Sequence, residues 1–269
     1  MVFVIPNTIF SARKRSSMDK KVCVLHSGGQ DSLACMLEAI EKYGAENIIS
    51  LGIKYGQKHF EQENAAAWRF CNSYDPPISR FIISVFVLDY KDSSLTNANV
   101  DIPTEMADQR KTVVPFRNTL FLIYAAAFAQ EHDCDRIILG PCKEDFENYR
   151  DCRPDYFEIM QMVIQAGLTK PTKGSEQIKD DFVVEVNPFG AHQFVPEEKL
   201  DIVIETPLIN ETKEETLKRI LLKHPVSIYK YTYTCYKGGL KSCGKCPACQ
   251  ERLAAFKDCG VEDPIEYEK

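Results

Sequence analysis

The hexapeptide Ser27-Gly28-Gly29-Gln30-Asp31-Ser32 constrains this chain more than any other stretch. Before it stands Val22-Cys23-Val24-Leu25, a short continuous apolar run of the kind that forms a fully buried strand. After it, Leu33, Met36, Leu37 and Ile40 recur at helical spacing up to Tyr43, and Gly44 supplies a stop. The hexapeptide is therefore expected on a strand-to-helix turn. Its two glycines remove Cβ atoms that would keep an anion away, and they permit unusual backbone angles. Asp31 and Ser32 open the helix, whose free N–H groups and positive dipole end suit a phosphate.

A Walker loop is excluded, because no Gly-Lys-Ser/Thr closes a longer glycine loop here. Ser-Gly-Gly-X-Asp-Ser instead resembles the pyrophosphate loop of the ATP-pyrophosphatase group, enzymes that cut ATP between the α and β phosphates and transfer AMP to an oxygen. The resemblance implies that Ser27, Gly28, Gly29, Gln30, Asp31 and Ser32 bind ATP. A turn that merely favours Gly, Asp and Ser is the bland alternative.

Downstream, Ile48-Ile49-Ser50-Leu51-Gly52-Ile53 reads as a second strand, ending in Tyr55-Gly56-Gln57-Lys58-His59, with a helix over 60–72. Residues 81–88 read as a third strand. Strand, helix, strand, helix, strand is the rhythm of a doubly wound, mainly parallel α/β sheet, with ligands at the carboxyl ends of its strands. The hexapeptide and the pair Gln57 and His59 both follow strands directly, so they are expected at one mouth. Residues 90–111 are polar and turn-rich, and are expected to form a mobile cover over it. An apolar helix over 119–130, a fourth strand at 136–140, a charged loop at 141–154 and a helix over 155–167 follow. Residues 170–200 are polar and proline-bearing and read as a surface insertion, with a hairpin through 182–186. A fifth strand at 202–204 and a helix over 213–223 complete a five-stranded sheet.

At 269 residues the chain can bury a sizeable core, and 44% hydrophobic with 27% charged residues describe an ordinary globular protein. The net charge of -6 gives no dominating basic face, which argues against a long nucleic acid as partner. No apolar run reaches membrane-spanning length, and residues 2–5 are too short for a secretory core. Residues 1–20 carry Arg13-Lys14-Arg15 and read as a loose basic extension.

The eleven cysteines are an odd number, and four crowd into 235–249 as Cys235-(seven residues)-Cys243-Gly-Lys-Cys246-Pro-Ala-Cys249. Two-residue spacing lets successive thiolates turn back on one ion, and four thiolates close a tetrahedral zinc site with no open position for chemistry. Iron–sulfur ligation can use similar spacing. Such clustering reads as metal binding in a reducing compartment, which points to the cytoplasm. Cys23, Cys35, Cys71 and Cys134 fall on predicted apolar faces, where core packing is the default.

Pyrophosphate loop and four-cysteine tail together resemble the 7-cyano-7-deazaguanine synthase family, which turns 7-carboxy-7-deazaguanine into its nitrile on the queuosine route. Tyr55-Gly56-Gln57-Lys58-His59, Val114-Pro115-Phe116-Arg117-Asn118, Tyr149-Arg150-Asp151-Cys152-Arg153, Thr234-Cys235-Tyr236 and Asp263-Pro264-Ile265-Glu266-Tyr267 also carry the likeness. The resemblance implies an AMP-forming carbon–nitrogen ligase using ATP, Mg²⁺ and a structural Zn²⁺, acting on a deazapurine acid and ammonia. It implies catalytic roles for Asp31, Ser32, Arg117 and Asp151, nucleotide contacts from Gln57 and His59, and substrate contacts from Arg117, Asn118, Asp145, Tyr149 and Arg153. Two departures stand out: the family usually has Gly where Phe116 stands, and Ser-Gly-Tyr-Pro where Glu147-Asn148-Tyr149-Arg150 stands. Both fall in loops expected to line the acceptor pocket, so a relative that stops at the amide or joins the acid to another amine is an open alternative. A tRNA-modifying pyrophosphatase and a non-catalytic nucleotide-binding subunit are further readings, and a homo-oligomer is compatible with all of them. The expected division is an extension (1–20), an ATP-pyrophosphatase domain (21–224) and a zinc-binding C-terminal segment (225–269).

Overall fold

A computed structural model of the protein describes residues 21–85, 91–168, 182–186, 192–196 and 202–268. The first βα unit forms as its apolar pattern dictates: β1 (Lys21–Leu25) runs into α1 (Gln30–Tyr43), and Gly44 ends the helix with positive φ. Next come β2 (Ile48–Lys54), α2 (Phe60–Cys71) and β3 (Ser79–Ser84). The chain then crosses to α3 (Arg117–Glu131) and β4 (Cys134–Ile138), the one-turn α4 (Asp145–Asn148) and α5 (Pro154–Gly167). An antiparallel pair, β5 (Phe182–Val186) and β6 (His192–Pro196), precedes β7 (Val203–Glu205), α6 (Lys213–Leu221) and α7 (Pro247–Asp258).

Five strands make one parallel sheet in the order β3-β2-β1-β4-β7. β1 lies at its centre, with Val22 opposite Ile48 of β2 on one side and Arg136 of β4 on the other. The chain winds outward through β2 and β3, then returns past β1 to β4, which opens a crevice at the carboxyl end of β1. Alternate β1 residues serve opposite layers. Val22 and Val24 pack with Leu33, Met36 and Leu37 of α1, Leu217 of α6 and Phe256 of α7. Cys23 packs on the other face with Leu122 and Ala126 of α3 and Phe157 and Met160 of α5. Cutting a buried leucine such as Leu33 to alanine would cost about 2–5 kcal/mol.

The fold is the parallel α/β sheet expected, with differences at its margins. The third strand begins earlier, at Ser79, and Phe81 and Ile82 stay 40% and 42% exposed because β3 is an edge of the sheet. Residues 86–90 lie outside the described residues. The expected mobile cover is corrected: much of 91–112 is packed down. Lys58 N–H donates to the Leu95 carbonyl (3.0 Å), Ser94 N–H donates to Lys111 (2.8 Å), and Leu95 is buried beside Ile53, Tyr55 and Val114. Hydrogen-bonded backbone and a buried leucine hold this stretch as a wall. Within 170–200, the strand pair matches the expected hairpin through 182–186 and does not join the main sheet. The rest of that region and residues 1–20 lie outside the described residues. Among the described residues no single helix is long and apolar enough to cross a membrane.

The C-terminal segment is built into the same core. Tyr229 and Phe256 stack edge to face under α1, and the four cysteines of 235–249 pack with Ile53, Tyr55, Ala66 and Leu95.

Candidate functional site

The hexapeptide 27–32 forms the turn between β1 and α1, with Gly29 as the residue before the helix. Gly28 has φ of +107°, and a Cβ there would sit 2.1 Å from the Glu63 carbonyl oxygen, so only glycine fits. The two serine hydroxyls stitch the turn. Ser32 Oγ accepts from Gly28 N–H (3.2 Å), donates to the Gly29 carbonyl (3.0 Å) and lies 3.1 Å from Ser27 Oγ, which accepts from Gly29 N–H (3.1 Å). With those two amides occupied, the groups left for an anion are the first helical N–H groups, Gln30 to Ser32, which have no acceptor within the helix. Gly140, just beyond β4, lets the turn approach: a Cβ there would meet Cys35 Sγ at 2.9 Å and the Asp31 carbonyl at 3.1 Å. From the other side Tyr233 N–H donates to the Gly28 carbonyl at 2.8 Å.

A cavity of about 250 Å³ opens at this turn and brings together Ser27, Gly29, Gln30, Asp31, Ser32, Gln57, His59, Arg117, Asn118 and Asp145 from the expected set. Several have work within the fold. Gln57 spends its amide on the turn after β2, donating to the Ile53 carbonyl (3.0 Å) and accepting from Tyr55 N–H (2.8 Å). Burial, and after it the positive Arg117, hold the His59 imidazole down to about 4 despite an opposing bond to the Tyr236 backbone, so it is neutral. Asp145 accepts from Cys142 N–H (3.0 Å) at the start of α4.

Four expected residues lie off the cavity wall. Gly28 is beneath the turn. Asp151 caps α3, its carboxylate accepting from Asn118 N–H (2.9 Å) while its carbonyl takes Asn118 Nδ2–H (2.9 Å). The Tyr149 ring lies 5.4 Å under the Arg117 guanidinium, and its hydroxyl meets Thr112 at 2.5 Å. Arg153 donates Nε–H to the Phe146 carbonyl (3.0 Å). The departures from the family pattern are off the wall as well. Phe116 adopts a left-handed backbone (φ 58°, ψ 21°) that points its ring to solvent, 70% exposed, and Glu147 and Arg150 are exposed. The expectation that these residues narrow the acceptor pocket is therefore corrected.

Four lining residues were missed in the sequence: Lys213, Glu251, Glu63 and Tyr236. Lys213 was the most visible of them. It is the first residue of α6, and a cation at the positive end of a helix is out of place unless something holds it. Glu63, in the first turn of a helix that opens with Glu61 and Glu63, reads as a solvated face.

The cavity has two electrostatic ends. Beside the loop, Lys213 Nζ lies 2.9 Å from Glu251 and 3.7 Å from Asp145. Burial would lower its ammonium, but Asp145, Asp31, Cys142 and Glu251 outweigh burial and hold it well above its ordinary value. The Asp31 carboxyl is pushed up to about 7, first by burial, then by Asp145, Glu251 and Glu144 against the pull of Lys213. At the far end Arg117 stands among Tyr55, Tyr149 and Tyr236, and burial lifts Glu63 to about 8 although Arg117 and Arg80 favour its charged form.

The Sγ atoms of Cys235, Cys243, Cys246 and Cys249 all lie within 4.8 Å of one another, and all four residues are buried. Backbone amides point at the sulfurs: Cys243 N–H at Cys235 Sγ (3.3 Å), and Lys245 and Cys246 N–H at Cys243 Sγ (3.4 and 3.3 Å). A tetrahedral ion with bonds of about 2.3 Å sets its sulfurs roughly 3.8 Å apart, so the group fits one metal ion.

The chain matches the family described as "Queuosine biosynthesis protein QueC" over residues 21–260. It belongs to that family. Curated relatives agree along nearly the whole length. A 7-cyano-7-deazaguanine synthase of Oceanobacillus iheyensis is 31% identical over 250 residues, 92% of this chain and 98% of the relative. A 7-cyano-7-deazaguanine synthase 2 of Desulfitobacterium hafniense is 33% identical, covering 92% of this chain and 93% of its own. One from Thermoplasma acidophilum is 33% identical over 255 residues, 93% of each chain. Among solved structures, the U34-tRNA thiolase NcsA of Methanococcus maripaludis with its [4Fe-4S] cluster aligns with TM-score 0.44 at 18% identity, covering 89% of this chain and 65% of that one.

Proposed function

We propose that this QueC-family protein is an ATP-dependent 7-cyano-7-deazaguanine synthase that activates the carboxylate of 7-carboxy-7-deazaguanine by adenylation and aminates it with ammonia. The observation that carries the reading is one cavity with a phosphate-type turn at one end and a half-buried Arg117 among aromatic rings at the other. The first end suits the β and γ phosphates of ATP, and the second suits a flat acid held by its carboxylate and ring.

A carboxylate is inert to amines at neutral pH, so one oxygen must become a leaving group. That oxygen attacks the α-phosphorus, pyrophosphate departs along the turn, and Lys213 with the N–H groups of Gln30 to Ser32 carries its charge. Ammonia then forms the C–N bond, the C–O bond breaks, and AMP leaves with the electron pair. Burial lifts Glu63 to about 8 and keeps it mostly protonated at neutral pH, so it takes the proton released by the nitrogen only through its ionised fraction, which grows as pH rises to 8. A second adenylation, on the amide oxygen, followed by loss of AMP and a proton, gives the nitrile. Asp31 and Asp145 offer the oxygen ligands that suit Mg²⁺, which when bound would spread the phosphate charge. The four thiolates fit a structural Zn²⁺ that fastens the C-terminal wall.

Arrest at the amide loses its ground, because Phe116, Glu147 and Arg150 stand off the cavity wall. The test is product analysis of purified protein with 7-carboxy-7-deazaguanine, ATP and ammonium chloride. AMP, pyrophosphate and the nitrile are expected; ADP with phosphate would overturn the reading, and amide that persists with excess ATP would restore the rival.

A further inference from the structure

Lys213 reaches the cavity with its stem buried, yet α6 does not itself aim the ammonium. The partner comes from elsewhere in the chain: Glu251, on α7, sets Oε2 2.9 Å from Lys213 Nζ, closer than Asp145 (3.7 Å) or Cys142 Sγ (3.5 Å). The second oxygen of Glu251 accepts Nε2–H of Gln109 at 2.8 Å, and Gln109 Oε1 accepts from Asn148 Nδ2 at 3.0 Å. Both oxygens are thus occupied and the carboxylate is pinned. The helix that carries it is pinned too. The guanidinium of Arg252, wholly buried, donates to both oxygens of Asp263 (2.6 and 2.8 Å) and to the hydroxyls of Thr232 (2.7 Å) and Thr234 (3.1 Å).

We propose that Glu251 is a positioning residue for the nucleotide: it holds Lys213 pre-aimed at the β and γ phosphates of ATP seated on the 27–32 turn. The inference rests on the reading of the cavity as an ATP site. A free lysine loses more rotamer freedom on being held than most side chains, and holding it before the ligand arrives moves that loss from binding to folding. A carboxylate left without its ammonium would repel the same phosphates, so the pair acts as a unit and its two members are not additive.

Calorimetric titration of the full-length protein with ATP and with AMP, both with Mg²⁺, tests this. Glu251→Gln keeps the shape and removes the charge. It is expected to weaken ATP about tenfold, to leave AMP within twofold because AMP lacks the two phosphates, and to leave the metal content per chain unchanged. Lys213→Met should weaken ATP at least as much, and adding Glu251→Gln to it should weaken ATP no further. Unchanged ATP affinity, equal weakening of ATP and AMP, or additive losses would each overturn the assignment. Should Glu251→Gln not fold, Gln109→Ala, which unpins the carboxylate but keeps its charge, is expected to show the same split between ATP and AMP, and equal effects on both would overturn the assignment. Wild-type protein that binds no ATP would overturn the nucleotide reading itself, and this inference with it.

Discussion

The two ends of the cavity each hold one cation, Lys213 buried and Arg117 half-buried, and they hold it in opposite ways. Lys213 is hemmed in by Asp145 and Glu251, with Asp31 and Glu144 close by, so the loop end carries more negative than positive charge until a divalent ion or a proton arrives. Arg117 is surrounded by phenol rings, with Glu63 lifted towards neutrality, and keeps a positive charge to offer. On the proposed reading, phosphates are therefore expected at the loop end only together with Mg²⁺, whereas a carboxylate is attracted directly at the arginine end.

The heaviest blow to this contrast would fall on what the ends share. Thr234 and Tyr236 on one side, Ala248 and Glu251 on the other, all belong to the segment fastened by the four cysteines. Cys246→Ser, or stripping the metal with a chelator, is expected to lower the melting temperature by at least about 10 °C or to give insoluble protein, since ligation is folding free energy in such sites. Metal analysis should return one zinc per chain; iron with sulfide, or no metal, would refute the assignment.

Next in size are the two substitutions that separate the ends. Asp31→Ala should cut turnover about 10²–10³-fold and raise the KM for ATP while leaving that for the acid within a few-fold. Arg117→Met should do the reverse. If both variants damage both constants alike, the ends do not divide the labour.

A smaller effect sharpens the arginine end. Glu63 has a folded value of about 8 against 4.5 when unfolded, so its neutral form is favoured by the fold. Stability from this group is complete below pH 4.5 and is lost as pH rises through 8. His59, just before α2, and Arg117 of α3 flank it, with Arg80 from β3. Glu63→Gln should therefore raise the melting temperature by about 2–4 °C at pH 8.5, roughly 1 kcal/mol, and change it little at pH 4.5. An equal gain at both values would show that charge is not the cause.

Least of all, Phe116→Gly should stabilise by up to about 1 kcal/mol, because a left-handed backbone is strained for phenylalanine and free for glycine. The KM for the acid should not move. A changed KM would put the ring back in the pocket.

What could be read in the sequence follows from how far apart the cooperating residues lie. Ser27 to Ser32 are contiguous and enclosed by a strand and a helix, and Cys235 to Cys249 close on one point within fifteen positions, so both stood out. The parallel order was legible from β1 to β3 because each apolar run was followed by a helical one. Lys213, Glu251 and Gln109 meet only through tertiary packing, and each alone reads as an ordinary polar residue of a helix or turn. Phe116 misled for a different reason: the backbone sign that turns its ring outward is invisible in a string of letters. Gln57 and Asp151 sit in conspicuous motifs, yet their polar groups serve a turn and a helix cap.

The bond from Tyr233 N–H to the Gly28 carbonyl has a consequence in the order of synthesis. Every strand of the main sheet and the loop itself emerge from the ribosome before residue 224, and domains begin to fold from the amino end as they emerge. The residues that brace the loop and close its outer wall, from Tyr233 to Glu251, are made after all of these. A nascent or prematurely terminated chain would thus carry the turn without its brace and Lys213 without its partner. On the proposed reading, such a chain is expected to bind ATP poorly until residues 233–251 have been added.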